Sequence, residues 1–339
     1  MRILILAIVV AYLAFACWWV IDAGMIRTGG DTELLHVSFD PTRDMWRDIN
    51  AEFIRDYRQK TGKPLRIRQS HGGSSSQARS VIDGLDADVV TLALFSDTDA
   101  IRKAGRLQDG WQERLPNRSL PYTSTIVMVV RQGNPKQIHE WKDLERTDVQ
   151  VICPNPKTSG NGKWAFLAMW GSVITNGGSE EDARQFMHKV YQRIPVFDAS
   201  ARGSTMTFSQ KQLGDVHLTW ENEAHLEVQE AKGKLEIVYP QVSIIAEPHV
   251  ALVDAVVDAK GTREISQAYL EFLYTPTAQQ LIANHYFRPT SAEVLAKNRH
   301  RFPEMRLFSF DQLAPTWDEL NAQFFADGGL VDQLVRSRP

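Results

Sequence analysis

The chain has 339 residues, which favours two structural units, because soluble domains usually hold about 100–200 residues. Apolar residues make up 43% and charged residues 23% of the chain, as in an ordinary globular protein. The net charge is −3 and both signs are interspersed, which argues against a nucleic-acid partner, since such a partner requires a basic surface. A small anionic ligand is still compatible with this charge, because local backbone dipoles can hold one anion.

The N-terminus carries an apolar run, Ile3–Ile21, directly behind Arg2. An apolar stretch behind a basic residue predicts an export signal, but this one exceeds the usual signal core of about 7–15 residues and approaches the roughly 20 that span a bilayer. Ala14-Phe15-Ala16 fits a cleavage site, and an alanine stands where lipid modification of Cys17 usually needs leucine. We therefore assign residues 1–30 to a signal peptide or an N-terminal membrane anchor.

From about residue 31, strand-like runs alternate with helical patterns. Leu34–Phe39 precedes a helix that Asp40-Pro41 opens, whose apolar residues recur at i, i+4 spacing and which Gly62 ends. Another strand, a Gly/Ser loop, a helix and the strand Asp88–Leu94 follow. This βαβ order predicts a parallel sheet with helices on both faces.

Two long β-rich runs, Tyr122–Arg131 and Val250–Val257, bracket a second strand–helix series. They predict two crossovers between two lobes, with helices near residues 265–284 returning to the first lobe. The predicted division places residues 31–122 and 250–339 in lobe 1 and residues 123–249 in lobe 2.

Three loops of small residues follow predicted strands and precede predicted helices: 70–76, 154–162 and 200–205. Backbone N–H groups at a helix N-terminus lack intrahelical acceptors and attract anions. One such loop is ordinarily turn and capping chemistry. Three of them, at the strand ends where open α/β sheets bind ligands, make an anion site an equally good interpretation.

No catalytic signature is legible. Residues 160–163 resemble a phosphate loop, but Lys157 and Trp164 stand where that motif needs glycine and Ser or Thr. The nine histidines show no metal-ligand spacing, and His71 is better explained by a solvent-facing or capping role than as a base. Cys153 ends an apolar segment and is predicted to be a buried strand-end thiol. Trp220, at the end of another strand, is either a core residue or a cleft-facing N–H donor.

Seven segments resemble, in order, the bacterial periplasmic sulfate-binding protein family: Val37–Arg43, Gln69–Ser74, Pro121–Val127, Gly133–Ile138, Pro154–Lys157, Ala201–Thr205 and Trp220–Glu223. The similarity runs from about residue 33 to 335 and includes the tail segments Tyr286–Pro289 and Phe325–Gly329. The resemblance implies an α/β, two-lobed, periplasmic-binding-protein-like (type II) fold with the ligand in the interlobe cleft.

The resemblance also implies the ligand contacts: Ser74 through its hydroxyl and N–H, Ser159 through its hydroxyl, Gly160, Asn161 and Ala201 through backbone N–H groups, and Trp220 through its indole N–H. Asn161 stands where the family usually has glycine, so its side chain either points away or shifts the ligand. A site made only of donors favours sulfate, which has no proton to donate. Phosphate keeps a proton at neutral pH, and that proton needs a hydrogen-bond acceptor in the site.

These observations predict a monomeric receptor without cofactor, metal or catalytic residues. It would bind sulfate or thiosulfate in the periplasm and deliver it to the membrane permease of an ABC importer, with the leader as an optional tether to the inner membrane. Alternatives are a receptor for another tetrahedral oxyanion such as molybdate, an oxyanion-handling hydrolase, and a membrane-tethered sensor.

Overall fold

The computed structural model describes residues 32–337. Their strands are β1 (Thr32–Phe39), β2 (Leu65–Gly72), β3 (Val89–Thr91), β4 (Tyr122–Arg131), β5 (Val151–Pro154), β6 (Phe197–Asp198), β7 (Val216–Trp220), β8 (Leu235–Val238), β9 (Val242–Ala246), β10 (Val250–Leu252), β11 (Arg288–Pro289) and β12 (Arg306–Phe308).

The α-helices are α1 (Arg43–Thr61), α2 (Ser74–Ile82), α3 (Phe95–Lys103), α4 (Gly160–Ile174), α5 (Glu180–Tyr191), α6 (Ala201–Thr205), α7 (Glu221–Glu230), α8 (Asp254–Lys260), α9 (Arg263–Phe272), α10 (Pro276–Asn284), α11 (Ala292–Lys297), α12 (Trp317–Phe324) and α13 (Leu330–Arg336). Pro116–Ser119 forms a short turn with left-handed backbone angles. Between residues 32 and 337, no helix combines the length and hydropathy needed to cross a bilayer. The predicted leader, residues 1–30, lies outside the described residues.

Two sheets organise the chain. The first has the strand order β10-β3-β1-β2, in which β1 runs parallel to β2 and β3. The second has the order β12-β9-β4-β7-β5-β6, and β8 and β11 also pair with β4. Because β4 is the long central strand of the second sheet and begins beside β11, it carries the chain from one lobe into the other.

The first helix illustrates how local sequence sets these elements. Met45, Ile49 and Phe53 are buried along one face of α1, as their spacing predicts. Gly62 ends the helix with φ 71, and its N–H donates to the carbonyl of Arg58. The predicted start at Asp40 is replaced by a 3₁₀ turn over Asp40–Thr42, so the α-helix itself begins three residues later.

The C-terminal part of the chain differs from the predicted lobe division. Helices α9 and α10 pack on the first sheet, as expected, through a core that includes Tyr269 and Ile282. Strand β12, however, pairs in parallel with β9, and α12 and α13 add apolar side chains to the core of the second sheet. The segment from about residue 306 therefore packs with lobe 2, because its aromatic faces fill that larger core.

Candidate anion-binding site

A cavity of about 30 Å³ lies between the two lobes and is lined by residues from both. All six residues that the sequence singles out line it: Ser74, Ser159, Gly160, Asn161, Ala201 and Trp220. A water molecule needs roughly 10–15 Å³ of such space, so the cavity suits a small ion and excludes a sugar or nucleotide.

Three helices begin at this cavity. Ser74, Gly160 and Ala201 are the first residues of α2, α4 and α6, so their backbone N–H groups have no intrahelical acceptor. A shorter 3₁₀ turn begins at Asp40, which also lines the cavity. The partial positive ends of these elements converge on one point, and this geometry attracts an anion without a cationic side chain.

Two serines precede these helices and cap them. The hydroxyl of Ser159 accepts from the N–H of Gly162 at 3.5 Å, and that of Ser200 accepts from the N–H of Gly203 at 3.2 Å. A hydroxyl that accepts in this way still has its own hydrogen to donate. Ser159, only 5% exposed, is therefore placed to donate that hydrogen to a bound anion.

Trp220 ends β7 and has an exposed fraction of 0%. Its ring lies 5.3 Å from that of Phe39 across the cleft, and its indole Nε1 has no hydrogen-bond partner. An unsatisfied buried donor costs about 1–3 kcal/mol, so this N–H is a candidate donor to a ligand. The structure thus gives Trp220 both properties that the sequence left as alternatives, a buried ring and an unpartnered donor.

The Ser74 hydroxyl, which the resemblance implied as a ligand donor, is hydrogen-bonded within the protein. Its Oγ donates to Oδ2 of Asp97 at 2.5 Å and accepts from the N–H of Ala93 at 2.9 Å. Asp97 also accepts from the hydroxyl of Ser75 at 2.9 Å. The hydroxyl hydrogen of Ser74 is therefore directed at a carboxylate, and only its backbone N–H is free for an anion.

Asn161 stands where the family usually has glycine, and its side chain points away from the cavity. It lies in the first turn of α4, and its Nδ2 donates to the carbonyl of Leu218 at 3.2 Å. The side chain is thus turned toward β7, while Oδ1 is buried without a partner. This orientation leaves the backbone N–H of Asn161 available at the helix N-terminus.

The charges around the cavity are few. Of the described residues that line it, none is lysine, arginine or histidine, and the one acid is Asp40, which lies 3.7 Å from Arg43. Within residues 32–337 no group of His, Cys, Asp or Glu has the arrangement of a metal site. His71 is outside the lining and is hydrogen-bonded to Ser38 at 2.7 Å and Gln69 at 2.6 Å.

One titratable side chain near the cleft makes stability depend on pH. Glu223 is half-buried, and burial, followed by the negative charges of Glu227 and Asp40, raises its pKa from 4.5 to about 8. Between these two values the folded protein binds a proton that the unfolded chain has released, so folding stability falls as pH rises through that window.

We expect Glu223→Gln to remove this dependence, because the amide does not titrate. Melting curves of both proteins from pH 5 to 8 check it: the melting temperature of the variant should rise relative to that of the unsubstituted chain as pH increases. If the difference in melting temperature between the two proteins were the same at every pH from 5 to 8, the raised pKa of Glu223 would be contradicted.

Sequence reasoning missed two residues of this region. Asp40 stands within a segment already singled out by its resemblance, so its place in the lining had a local signal. Asp97 had none, because its contacts with Ser74 and Ser75 span more than twenty positions of the chain. Cys153, by contrast, is buried at the end of β5 as predicted.

Comparison with known proteins agrees with this architecture. Residues 45–288 match the family described as bacterial extracellular solute-binding protein. The sulfate-binding protein of Escherichia coli is 49% identical over 90% of this chain and 94% of its own length. The thiosulfate-binding protein of Pseudomonas aeruginosa is 46% identical over 89% of this chain and 91% of its own.

Among solved structures, the sulfate-binding protein SubI of Mycobacterium tuberculosis superimposes with a TM-score of 0.78 at 29% identity, covering 87% of this chain and 99% of SubI. This match confirms the predicted α/β, two-lobed fold. The chain therefore belongs to the bacterial periplasmic sulfate-binding protein family, within the extracellular solute-binding proteins.

Proposed function

We propose that this chain binds sulfate or thiosulfate in the interlobe cavity and delivers the anion to the permease of an ABC importer. The observation that carries the proposal is the convergence of three helix N-termini and one unpartnered indole N–H on a cavity without a cationic side chain among its described lining residues. The names of the relatives in Escherichia coli and Pseudomonas aeruginosa support both anions.

The ligand donors in this proposal are the backbone N–H groups of Ser74, Gly160, Asn161 and Ala201, the hydroxyl of Ser159, and the indole of Trp220. Hydrogen bonds to a charged group contribute about 1.5–3 kcal/mol each, so a few neutral donors hold a dianion. A protonated oxyanion such as phosphate also needs an acceptor. The one acid among the described lining residues, Asp40, is already paired with Arg43. Its negative charge would also repel a dianion that approached it as an acceptor.

We infer further that the chain is a receptor and not a hydrolase. A hydrolase would need a nucleophile beside a general base. The hydroxyl of Ser159 accepts from its own helix, that of Ser74 donates to Asp97, and His71 is hydrogen-bonded to Ser38 and Gln69 outside the cavity. The names of the relatives, which are binding proteins, support the same inference.

Calorimetry of the purified chain with sulfate, thiosulfate, molybdate and phosphate tests the proposed function. Sulfate or thiosulfate should bind most tightly and phosphate should not bind. Affinity for sulfate should change little between pH 5 and 8, because sulfate does not titrate there and Glu223 is not among the residues that line the cavity. Equal affinity for phosphate would contradict a donor-only site, and preference for molybdate would favour the alternative receptor.

We propose further that the protein acts in the periplasm as a monomer, with residues 1–30 as a cleaved signal or a tether to the inner membrane. Cell fractionation distinguishes these fates: the mature chain should appear in the periplasmic or the inner-membrane fraction. Finding the full-length chain in the cytosol would contradict export.

A further inference from the structure

The two lobes are joined beside the cavity by a buried hydrogen bond whose acceptor residue, Ala93, lines the cavity and is not one of the proposed ligand donors. The indole Nε1 of Trp164 donates to the carbonyl oxygen of Ala93 at 2.8 Å. Trp164 belongs to α4 in lobe 2 and has an exposed fraction of 0%, whereas Ala93 follows β3 in lobe 1 and is 1% exposed. The bond therefore crosses the cleft in a place that water does not reach.

The same peptide region is held from the lobe 1 side. The N–H of Ala93 donates to the hydroxyl of Ser74 at 2.9 Å, and that hydroxyl donates to Asp97 at 2.5 Å. A continuous chain of hydrogen bonds thus runs from Asp97 through Ser74 and Ala93 to Trp164. Ser74 begins α2, and Trp164 lies one turn into α4, which begins at Gly160.

We propose that Trp164 is a positioning residue for anion capture: its bond to Ala93 holds the N-termini of α2 and α4 at the separation needed to bind one anion together. This inference rests on the proposed function of the cavity. It assigns the hydroxyl of Ser74 to the connection between lobes, which explains why that hydroxyl is turned away from the anion and toward Asp97.

Loss of the Trp164 indole N–H should destabilise the closed arrangement of the lobes and thereby weaken anion binding. Because Trp164 and Ala93 belong to different lobes, we expect the bond between them to break when the cleft opens, and both groups then to hydrogen-bond to water. Removing the indole N–H leaves the Ala93 carbonyl buried and unpartnered in the closed state alone. This loss makes closure less favourable. Because apparent affinity scales with the population of the binding-competent closed state, sulfate should bind more weakly and dissociate sooner.

Stopped-flow measurement of sulfate binding to Trp164→Phe tests the inference. We expect the dissociation rate constant to rise about tenfold, the fold-change for one unpaired buried carbonyl, while the association rate constant stays within about twofold. Trp170→Phe is the matched control, since Trp170 lies in the same helix and packs on Phe166 and Phe324 within lobe 2. Its sulfate dissociation rate should match that of the unsubstituted chain.

Because phenylalanine is smaller than tryptophan, a second variant carries benzothienylalanine at position 164, which keeps the shape and replaces the N–H by sulfur. It should show the same faster dissociation, which then reflects the lost N–H and not a loss of side-chain volume. Dissociation as slow as in the unsubstituted chain, for both variants at position 164, would overturn the inference.

Small-angle X-ray scattering separates this inference from the proposed function. Scattering curves recorded without sulfate report how far the lobes are closed, because an open cleft increases the radius of gyration. The benzothienylalanine variant should therefore have a larger radius of gyration than the unsubstituted chain. If the unsubstituted chain binds no sulfate, the proposed function fails, and the scattering comparison still decides the role of Trp164. An identical radius of gyration in the two proteins would then overturn it.

Discussion

Gly160→Ala should weaken sulfate binding while leaving the unliganded protein as stable as before. A Cβ atom at this position would lie 2.9 Å from the Cβ of Ala93, on the opposite lobe, and overpacking of this kind costs about 1–3 kcal/mol. Because Gly160 and Ala93 belong to different lobes, the clash should oppose closure, and affinity should fall roughly five- to 150-fold. Alanine has a high helix propensity, so the substitution should not destabilise α4 or the lobe that contains it.

Second-site rescue distinguishes this steric effect from loss of a ligand contact. Ala93→Gly removes the atom that the new Cβ meets, and the remaining neighbours of that Cβ, the side chains of Ser74 and Leu94, lie at 3.5 and 3.6 Å. The double variant Ala93→Gly/Gly160→Ala should therefore recover most of the affinity, because the backbone N–H of residue 160 is unchanged throughout. Calorimetry of the four proteins measures the coupling, and equal weakening in the single Gly160→Ala and double variants would contradict the clash.

Trp220→Phe should weaken sulfate binding by about 1.5–3 kcal/mol, or about ten- to 150-fold, since it removes one hydrogen bond to a charged ligand. The aromatic bulk that packs against Phe39 is largely kept. The indole Nε1 has no protein partner, so the unliganded chain loses no hydrogen bond, and its melting temperature should fall only slightly, through the smaller volume of phenylalanine. Ser159→Ala should weaken binding by a similar amount by removing one hydroxyl.

Titrations and melting curves of the same preparations decide between a ligand contact and a core role. The sulfate-induced rise in melting temperature should shrink for both variants, because ligand stabilisation follows the ratio of concentration to Kd. Normal binding combined with a much lower melting temperature in Trp220→Phe would make Trp220 a core residue and remove it from the site.

Much of the fold was accessible from local sequence. The i, i+4 apolar spacing of α1 and its stop at Gly62 are set by neighbouring residues, and the structure contains both. The three small-residue loops were recognisable because strand-to-helix turns leave unsatisfied N–H groups wherever they occur. Their convergence on one cavity follows from the two sheets, and the family resemblance supplied that step before the structure did.

The remainder depends on contacts between distant segments. Nothing local to Phe308 or Trp317 shows which of two apolar cores they fill, so the return of the C-terminal segment to lobe 2 was missed. The pairing of Ser74 with Asp97 likewise exists only in the folded chain, and it changes the role of the serine hydroxyl. Local patterns predict donors well, but they do not show which donors are already bound to other groups.

The most direct test of the donor-only site is a crystal structure of the chain grown without other oxyanions and then exposed to sulfate. We expect one anion in the cavity between the lobes, within hydrogen-bonding distance of the indole Nε1 of Trp220 and of the backbone N–H groups that begin α2, α4 and α6, with no lysine, arginine or metal ion touching it. Sulfate bound elsewhere, or held in the cavity by a cationic side chain or a metal ion, would contradict it.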